Sequence, residues 1–354
     1  MTIEERMNGP LFFEKNRVFR IYTGGALFAD FFGDDSSDGF FPEEWVASSV
    51  KALNKESRGE KEGVSRVEGT RWWFDDLLKQ YPQALLGNRS EFGVLTKILD
   101  SAVRLPVQAH PDRAYSRRYF QSDYGKAESW VVLATRPGAK LYFGFKKPLD
   151  KAVFSAAVEQ SAHEKEAMVP LLNEVPVKPG DVFFVPARMV HAIGEGCLIL
   201  EVQEPSDFTI QPEHWCADYR LSEQEMYIGL PKETALDVFD FSVSGEEAIA
   251  LGRRSPQILE QTKEVVRESL ISYQDTPCFA VERTTLQHGS VRLTQAPAVY
   301  VVTGGQGEIT WKNGARAVRK GDYFFLPYQA AQTTCFSTKE SVQWVACLPP
   351  ESTV

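Results

Sequence analysis

The chain repeats itself once. Residues 177–186 read Val-Lys-Pro-Gly-Asp-Val-Phe-Phe-Val-Pro, and residues 318–327 read Val-Arg-Lys-Gly-Asp-Tyr-Phe-Phe-Leu-Pro. A spacing from position 177 to position 318 is too long for a solenoid unit and suits two copies of one domain. An upstream pair supports this. Trp130-Val131-Val132-Leu133, with Gly138 after it, resembles Tyr300-Val301-Val302, with Gly304-Gly305 and Gly307 after it. Each copy then runs strand, Gly turn, strand, Gly-Asp turn, and an apolar strand ending in Pro. Short antiparallel strands joined in this way predict a jelly-roll barrel.

The 354 residues agree with about two domains. The 39 basic and 48 acidic residues leave a net charge of −9, which argues against nucleic acid as a partner. No apolar run reaches the ~20 residues of a membrane span. Met1 to Arg6, with Glu4 and Glu5, is too polar for a signal peptide. The five cysteines are odd in number and form no Cys-x-x-Cys pair, so a reduced, cytoplasmic chain is expected.

Most of the chain reads as short strands broken by Pro and Gly, including Val18 to Tyr22 and Trp45 to Val50. A polar loop is expected from Asn54 to Gly63. Thr70 to Leu86 has helical spacing, with Thr70 as N-cap and Gly87 as the stop. Helix-like patterns recur at 149–165 and 221–240. The expectation is a mainly β protein with a helical minority. Its first domain spans 1–215, a helical connecting segment 216–275, and a second domain 276–354.

The copies differ in their polar inward positions. Five residues after Pro186 stands His191; five after Pro327 stands Gln332. Glu128 precedes the apolar strand of the first copy, where the second has Ala298. Gln108-Ala109-His110 has no His-bearing counterpart. A barrel interior needs no such groups for stability, so the first copy is expected to hold something. Gln108 and His110, two apart, share a face of a strand. One carboxylate, two imidazoles and an amide oxygen suit a borderline divalent ion, zinc first, with positions left open for a ligand oxygen. His163, His214 and His288 read as structural. Gly304-Gly305-Gln306-Gly307 reads as a turn, since no helix follows it. Trp72-Trp73-Phe74 reads as core.

These residues match a known pattern. Val107-Gln108-Ala109-His110-Pro111-Asp112, Tyr124-Gly125-Lys126-Ala127-Glu128-Ser129-Trp130, Pro179-Gly180-Asp181 through Pro186 to His191, and Leu200-Glu201-Val202-Gln203 together resemble type I mannose-6-phosphate isomerases. These are zinc-dependent cupins, and the degenerate second copy fits their layout. The resemblance implies two cupin domains, the second without metal ligands. It implies one zinc ion on Gln108, His110, Glu128 and His191, with other divalent metals as alternatives. It places the family's active-site lysine on Lys126 and its acidic base on Glu201.

Departures from the pattern bear on substrate. Ser206-Asp207 is kept, but Gln211 stands where the family carries an active-site arginine. A neutral amide is a poor phosphate clamp. Near the amino end, Trp-Gly-Gly appears as Tyr22-Thr23-Gly24-Gly25, and Gly-Glu-Ser-Trp as Pro42-Glu43-Glu44-Trp45. The leading expectation is a metal-dependent aldose–ketose isomerase acting on mannose 6-phosphate and fructose 6-phosphate through a cis-enediol. The alternatives are an isomerase of an unphosphorylated or different sugar, and a non-catalytic sugar-binding or regulatory cupin. The partner is a small sugar or sugar phosphate, on a monomer or homodimer. Were the substrate phosphorylated, Arg188, Arg220 or a protonated His214 would have to replace the missing arginine.

Overall fold

The structure is a computed structural model and describes residues 2–56 and 58–351. Met1, Ser57 and residues 352–354, which fall within the expected domain and loop ranges, lie outside the described residues.

Two β-systems lie face to face. The first has an antiparallel seven-stranded sheet, ordered Arg253–Arg254, Val182–Val185, Glu128–Thr135, Cys197–Gln203, Leu95–Asp100, Glu43–Val46, Arg17–Val18. Its inner face is closed by a three-stranded sheet of Leu172–Pro176, Lys140–Phe145 and His191–Ile193. In the second system, the path runs Leu11–Phe12, Tyr323–Leu326, Ala298–Trp311, Val342–Leu348, Ala280–Leu286, Val265–Ile271, Gln257–Gln261. Gly289–Arg292, Gly314–Arg319 and Cys335–Thr338 complete it.

The strand alternation makes three core layers. On Glu128–Thr135, Trp130 points into the first barrel with Phe143, Val185 and Ile193. Val131 points the other way and packs with Val299, Val301 and Val345 of the second system. Tyr300, Phe324, Trp344 and Phe336 fill the second barrel. Central strands buried on both faces read as continuous apolar runs.

Strand pairing bears out the upstream half of the repeat. Glu128 and Trp130 pair with Val185 and Phe183; Ala298 and Tyr300 pair with Leu326 and Phe324. Ala298 therefore holds the place of Glu128. Glu201 pairs with Trp130, and Ala346 with Tyr300, so Ala346 holds the place of Glu201. The match of Gln332 to His191 needs correction. Leu141 pairs with Val175 and Ile193; Ile309 pairs with Arg316 and Phe336. Counting back two residues from Ile193 and Phe336 puts Thr334, not Gln332, in the place of His191. The cause is the 3-10 turn Tyr328–Ala330, which lengthens the second copy; Gln332 is exposed. Leu293 donates to the Thr334 carbonyl as Gln108 donates to that of His191, so Leu293 matches Gln108.

Several boundaries differ from expectation. The helix expected from Thr70 to Leu86 is two, Phe74–Gln80 and Pro82–Leu86. Pro82 disfavours helical geometry at Tyr81, and Thr70 caps nothing: its hydroxyl donates to Val67 instead. Gly87, at φ +67°, does stop the run. The 149–165 pattern becomes Lys151–Ser161, capped by Asp150. The 221–240 pattern becomes Glu223–Tyr227 and Lys232–Leu236, split around Pro231. The connecting segment 216–275 is helical only to Gly252. Strands Gln257–Gln261 and Val265–Ile271 then join the second sheet, which also takes Leu11–Phe12 from the amino end. The Gly304–Gly307 stretch is a bulged bend inside one strand rather than a turn.

Candidate functional site

Glu128 opens the central strand of the first barrel, and His191 begins a strand of the facing sheet. Gln108 pairs with His191, and Ala109 with Ile210, so residues 108–110 run extended across the barrel mouth. Lys126 lies on the loop before Glu128. That loop is pinned at Ala127, whose amide donates to Glu204, while Glu204 also accepts from Arg113. Gly125 is required there, since a Cβ would lie 2.7 Å from the Pro111 carbonyl oxygen.

His110, Glu128 and His191 offer ligand atoms that all lie within 4.8 Å of one another, and all three are buried. His110 Nε2 is 3.2 Å from Glu128 Oε2, and His191 Nε2 is 3.4 Å from Oε1. The tautomers follow from the partners. His110 Nδ1 meets the Phe208 carbonyl at 3.0 Å and His191 Nδ1 the Met189 carbonyl at 2.8 Å. Carbonyls only accept, so each Nδ1 carries the proton and each Nε2 presents a lone pair to Glu128. Lys126 Nζ, which can only donate, reaches His110 Nε2 at 3.0 Å and Glu128 Oε2 at 3.2 Å.

The charge states agree with this. Burial pushes the His191 imidazole down to about 3, and burial, then Lys126, lowers that of His110. Both stay neutral. Burial pushes the Glu128 carboxyl up, but Lys126, His110 and His191 outweigh it and hold it well below the ordinary value. Buried His191 Nε2 has no hydrogen-bond partner, and Glu128 Oε2 is met only by the ion pair with Lys126 and by His110. Two imidazole nitrogens, that of His191 bare and that of His110 met only by Lys126, and a carboxylate around one point fit a divalent cation. Gln108 lines the same cleft, beside this cluster.

Glu201 stands on the neighbouring strand. Trp130 Nε1 donates to its Oε2 at 3.1 Å, and Lys97 Nζ lies 3.4 Å from its Oε1. Burial, then the charge of Glu128, raises the Glu201 carboxyl. A network that motif reasoning did not assemble surrounds it. Arg20 bonds Glu43 at 2.9 Å and Asp207 at 3.0 Å, and Tyr22 bonds Glu43 at 2.7 Å. Lys97 also lies 3.6 Å from Asp207 and 3.9 Å from Glu43. The available signal was Lys97 inside the apolar run Leu95 to Leu99. Its alternation puts the lysine on the same face as Glu201 and Trp45. The network leaves the cleft lined by buried or nearly buried Arg20, Lys97 and Lys126 against Glu43, Glu128, Glu201 and Asp207. The cleft thus sets carboxylates against paired cations rather than presenting one sign of charge.

The cleft holds about 390 Å³, and Gln108, His110, Lys126, Glu128, Glu201 and Gln211 all line it. Gln211 is tethered: its Nε2 donates to the Glu225 carbonyl at 3.1 Å. The three cations considered as replacements for an arginine at this position are elsewhere. Arg188 bonds the Asp237 and Val238 carbonyls, Arg220 lies over the Trp215 ring, and His214 does not line the cleft.

The chain is 33% identical to a mannose-6-phosphate isomerase of Streptococcus mutans over 91% of this chain and 93% of that protein. It is 30% identical to mannose-6-phosphate isomerase ManA of Bacillus subtilis over 90% of this chain and 93% of that protein. No protein-family model matches. Among solved structures, the mannose 6-phosphate isomerase from Bacillus subtilis superposes with a TM-score of 0.76 at 20% identity, covering 96% of this chain and 99% of that one. A mannose 6-phosphate isomerase bound with zinc and yttrium has a TM-score of 0.66 at 15% identity, covering 97% and 100%. The protein is thus a mainly β, cupin-type sugar isomerase. It belongs to the mannose-6-phosphate isomerase family.

Proposed function

We propose that this protein is a metal-dependent aldose–ketose isomerase that interconverts mannose 6-phosphate and fructose 6-phosphate through a cis-enediol. The observation that carries the reading is the buried His110–Glu128–His191 cluster in one cleft with Lys126 and Glu201. Those three side chains, with Gln108 beside them, would hold one divalent ion, zinc first. Bound there, the ion supplies Lewis-acid stabilisation of negative charge on sugar oxygens.

The chain's own residues do the rest. Glu201 moves the proton between C1 and C2. Its raised affinity for a proton suits a group that must both take and return one. Trp130 and Lys97 fix its two oxygens. Lys126 holds Glu128 against the imidazoles and can donate to a sugar hydroxyl. Arg20, Glu43 and Asp207 set the orientation of Lys97. The stacked Phe120–Phe208 pair, with centroids 4.7 Å apart, lines the cleft as an apolar wall for a sugar face.

Tethered Gln211 favours a second reading, an unphosphorylated sugar, because an amide can bond a hydroxyl without a charge. No helix among the described residues is long and apolar enough to cross a membrane, and a cytoplasmic monomer or homodimer is part of the proposal. The test is a coupled isomerase assay on zinc-loaded protein with paired phosphorylated and free sugars. Turnover of mannose 6-phosphate supports the proposal, turnover of free sugars alone supports the second reading, and no turnover overturns both. Glu201→Gln should lower kcat by roughly 10²–10⁴ with metal content intact.

A further inference from the structure

If the substrate carries a phosphate, something other than Arg188, Arg220 or Gln211 must meet it. The reacting carbons sit near the buried cluster, so a phosphate on C6 lies at the open end of the cleft. The cations lining the cleft are Arg20, Lys55, Lys97 and Lys126. Three are committed: Arg20 to Glu43 and Asp207, Lys97 to Glu201 and Asp207, Lys126 to Glu128. Lys55 is exposed and, among the described residues, has no carboxylate within ion-pair distance.

The preceding residues are held, so Lys55 is presented at the mouth. The Leu53 amide donates to Asp207 at 2.9 Å, and Asn54 Oδ1 accepts from Arg20 at 3.1 Å. Both anchors belong to the network that fixes Lys97. Glu225, which also lines the cleft, is spoken for: it accepts from Ser222 and from the Tyr219 hydroxyl. Burial pushes its carboxyl up, but Ser222, then Tyr219 and Lys55, hold it below the ordinary value. Lys55, Gln211 and Glu225 line the same cleft.

Resting on the isomerase reading above, we propose that Lys55 is the phosphate-contacting residue of this chain. It replaces, from a different segment of the cleft lining, the charge lost at Gln211. A lysine meets a phosphate dianion as a point charge with rotatable donors, so it needs no bidentate fork.

The test uses the full, metal-loaded chain. Lys55→Ala is expected to raise KM for mannose 6-phosphate about ten-fold with a far smaller change in kcat. It should weaken competition by inorganic phosphate alike and flatten the rise of KM with added salt. Lys55→Arg should keep the wild-type KM. Lys51→Ala, exposed and outside the cleft lining, is the control. An unchanged KM and salt slope in Lys55→Ala would overturn the proposal and leave the isomerase reading standing. If the wild type turns over no mannose 6-phosphate, that reading fails, and calorimetry with fructose 6-phosphate decides. A ten-fold loss of affinity in Lys55→Ala then supports the contact, and equal affinity overturns it.

Discussion

Gln108 and His191 face each other across an antiparallel bridge, each amide donating to the other's carbonyl at 2.9 Å. This joins the extended 108–110 segment to the strand that carries the second imidazole. Two proposed ligands from distant parts of the sequence are thereby fixed by backbone, before any side chain is considered.

His191→Ala should bind the divalent ion at least ~100-fold more weakly, beyond the ~10–100-fold known for losing a hydrogen-bond partner behind a ligand. Elemental analysis after dialysis checks it. Undiminished occupancy would end the assignment of His191, because its Nε2 has no other buried partner.

One metal per chain is the expected stoichiometry. The second barrel has Leu293, Ala298 and Thr334 at the positions of Gln108, Glu128 and His191. These offer at most a hydroxyl. A measured ratio near two would show that the strand correspondence between barrels is wrong.

Gln211→Arg should raise kcat/KM for mannose 6-phosphate by about one to two powers of ten, the ~1.5–3 kcal/mol of one charge-assisted hydrogen bond. The amide now held by the Glu225 carbonyl would give way to a cation facing the cleft. An unchanged or lower rate, with fold and metal intact, would count against Gln211 standing in the arginine's place.

Glu43 predicts an acid-sensitive fold. Burial pushes its carboxyl up, but Arg20 and Lys97 hold it far below the ordinary 4.5. The unfolded chain therefore takes up this proton first. The contribution is fully present above about pH 4.5 and is lost as pH falls below it. Urea midpoints measured from neutral pH down to about pH 3 should drop, and drop less steeply in Glu43→Gln. Parallel slopes in the two proteins would rule this network out as the source.

Tyr323→Phe should destabilise the protein by about 1–3 kcal/mol, the worth of one buried hydrogen bond to a carboxylate, with the Asn16 amide still donating to the same oxygen. Tyr323, on the second sheet, donates to Glu44 of the first at 2.5 Å. Burial already raises the Glu44 carboxyl, and Tyr323 is one of the groups opposing that. Chemical denaturation checks it, and a change within measurement error would mean that this contact does not couple the sheets.

The sequence by itself determined the repeat, the mainly β class, and the residues of the buried cluster. These signals are local: a Gly-Asp turn, strand alternation, and an imidazole or carboxylate where the second copy has none. It also determined that Glu128 and Ala298 correspond, because each stands two residues before the aromatic of its own apolar strand, Trp130 or Tyr300, although the first copy inserts the Lys151–Ser161 helix before the strand partner is reached. Tertiary structure decided the rest. Thr334 rather than Gln332 answers to His191 because a 3-10 turn shifts the count, and only cross-strand pairing reveals such a shift. Leu11–Phe12 pairs with the second system because a short edge strand joins whichever exposed ladder lies beside it. Arg20, Glu43, Lys97 and Asp207 come from four separate segments of the chain. Their charges become one network only where packing takes them out of water together, since an unpaired buried charge costs too much to persist.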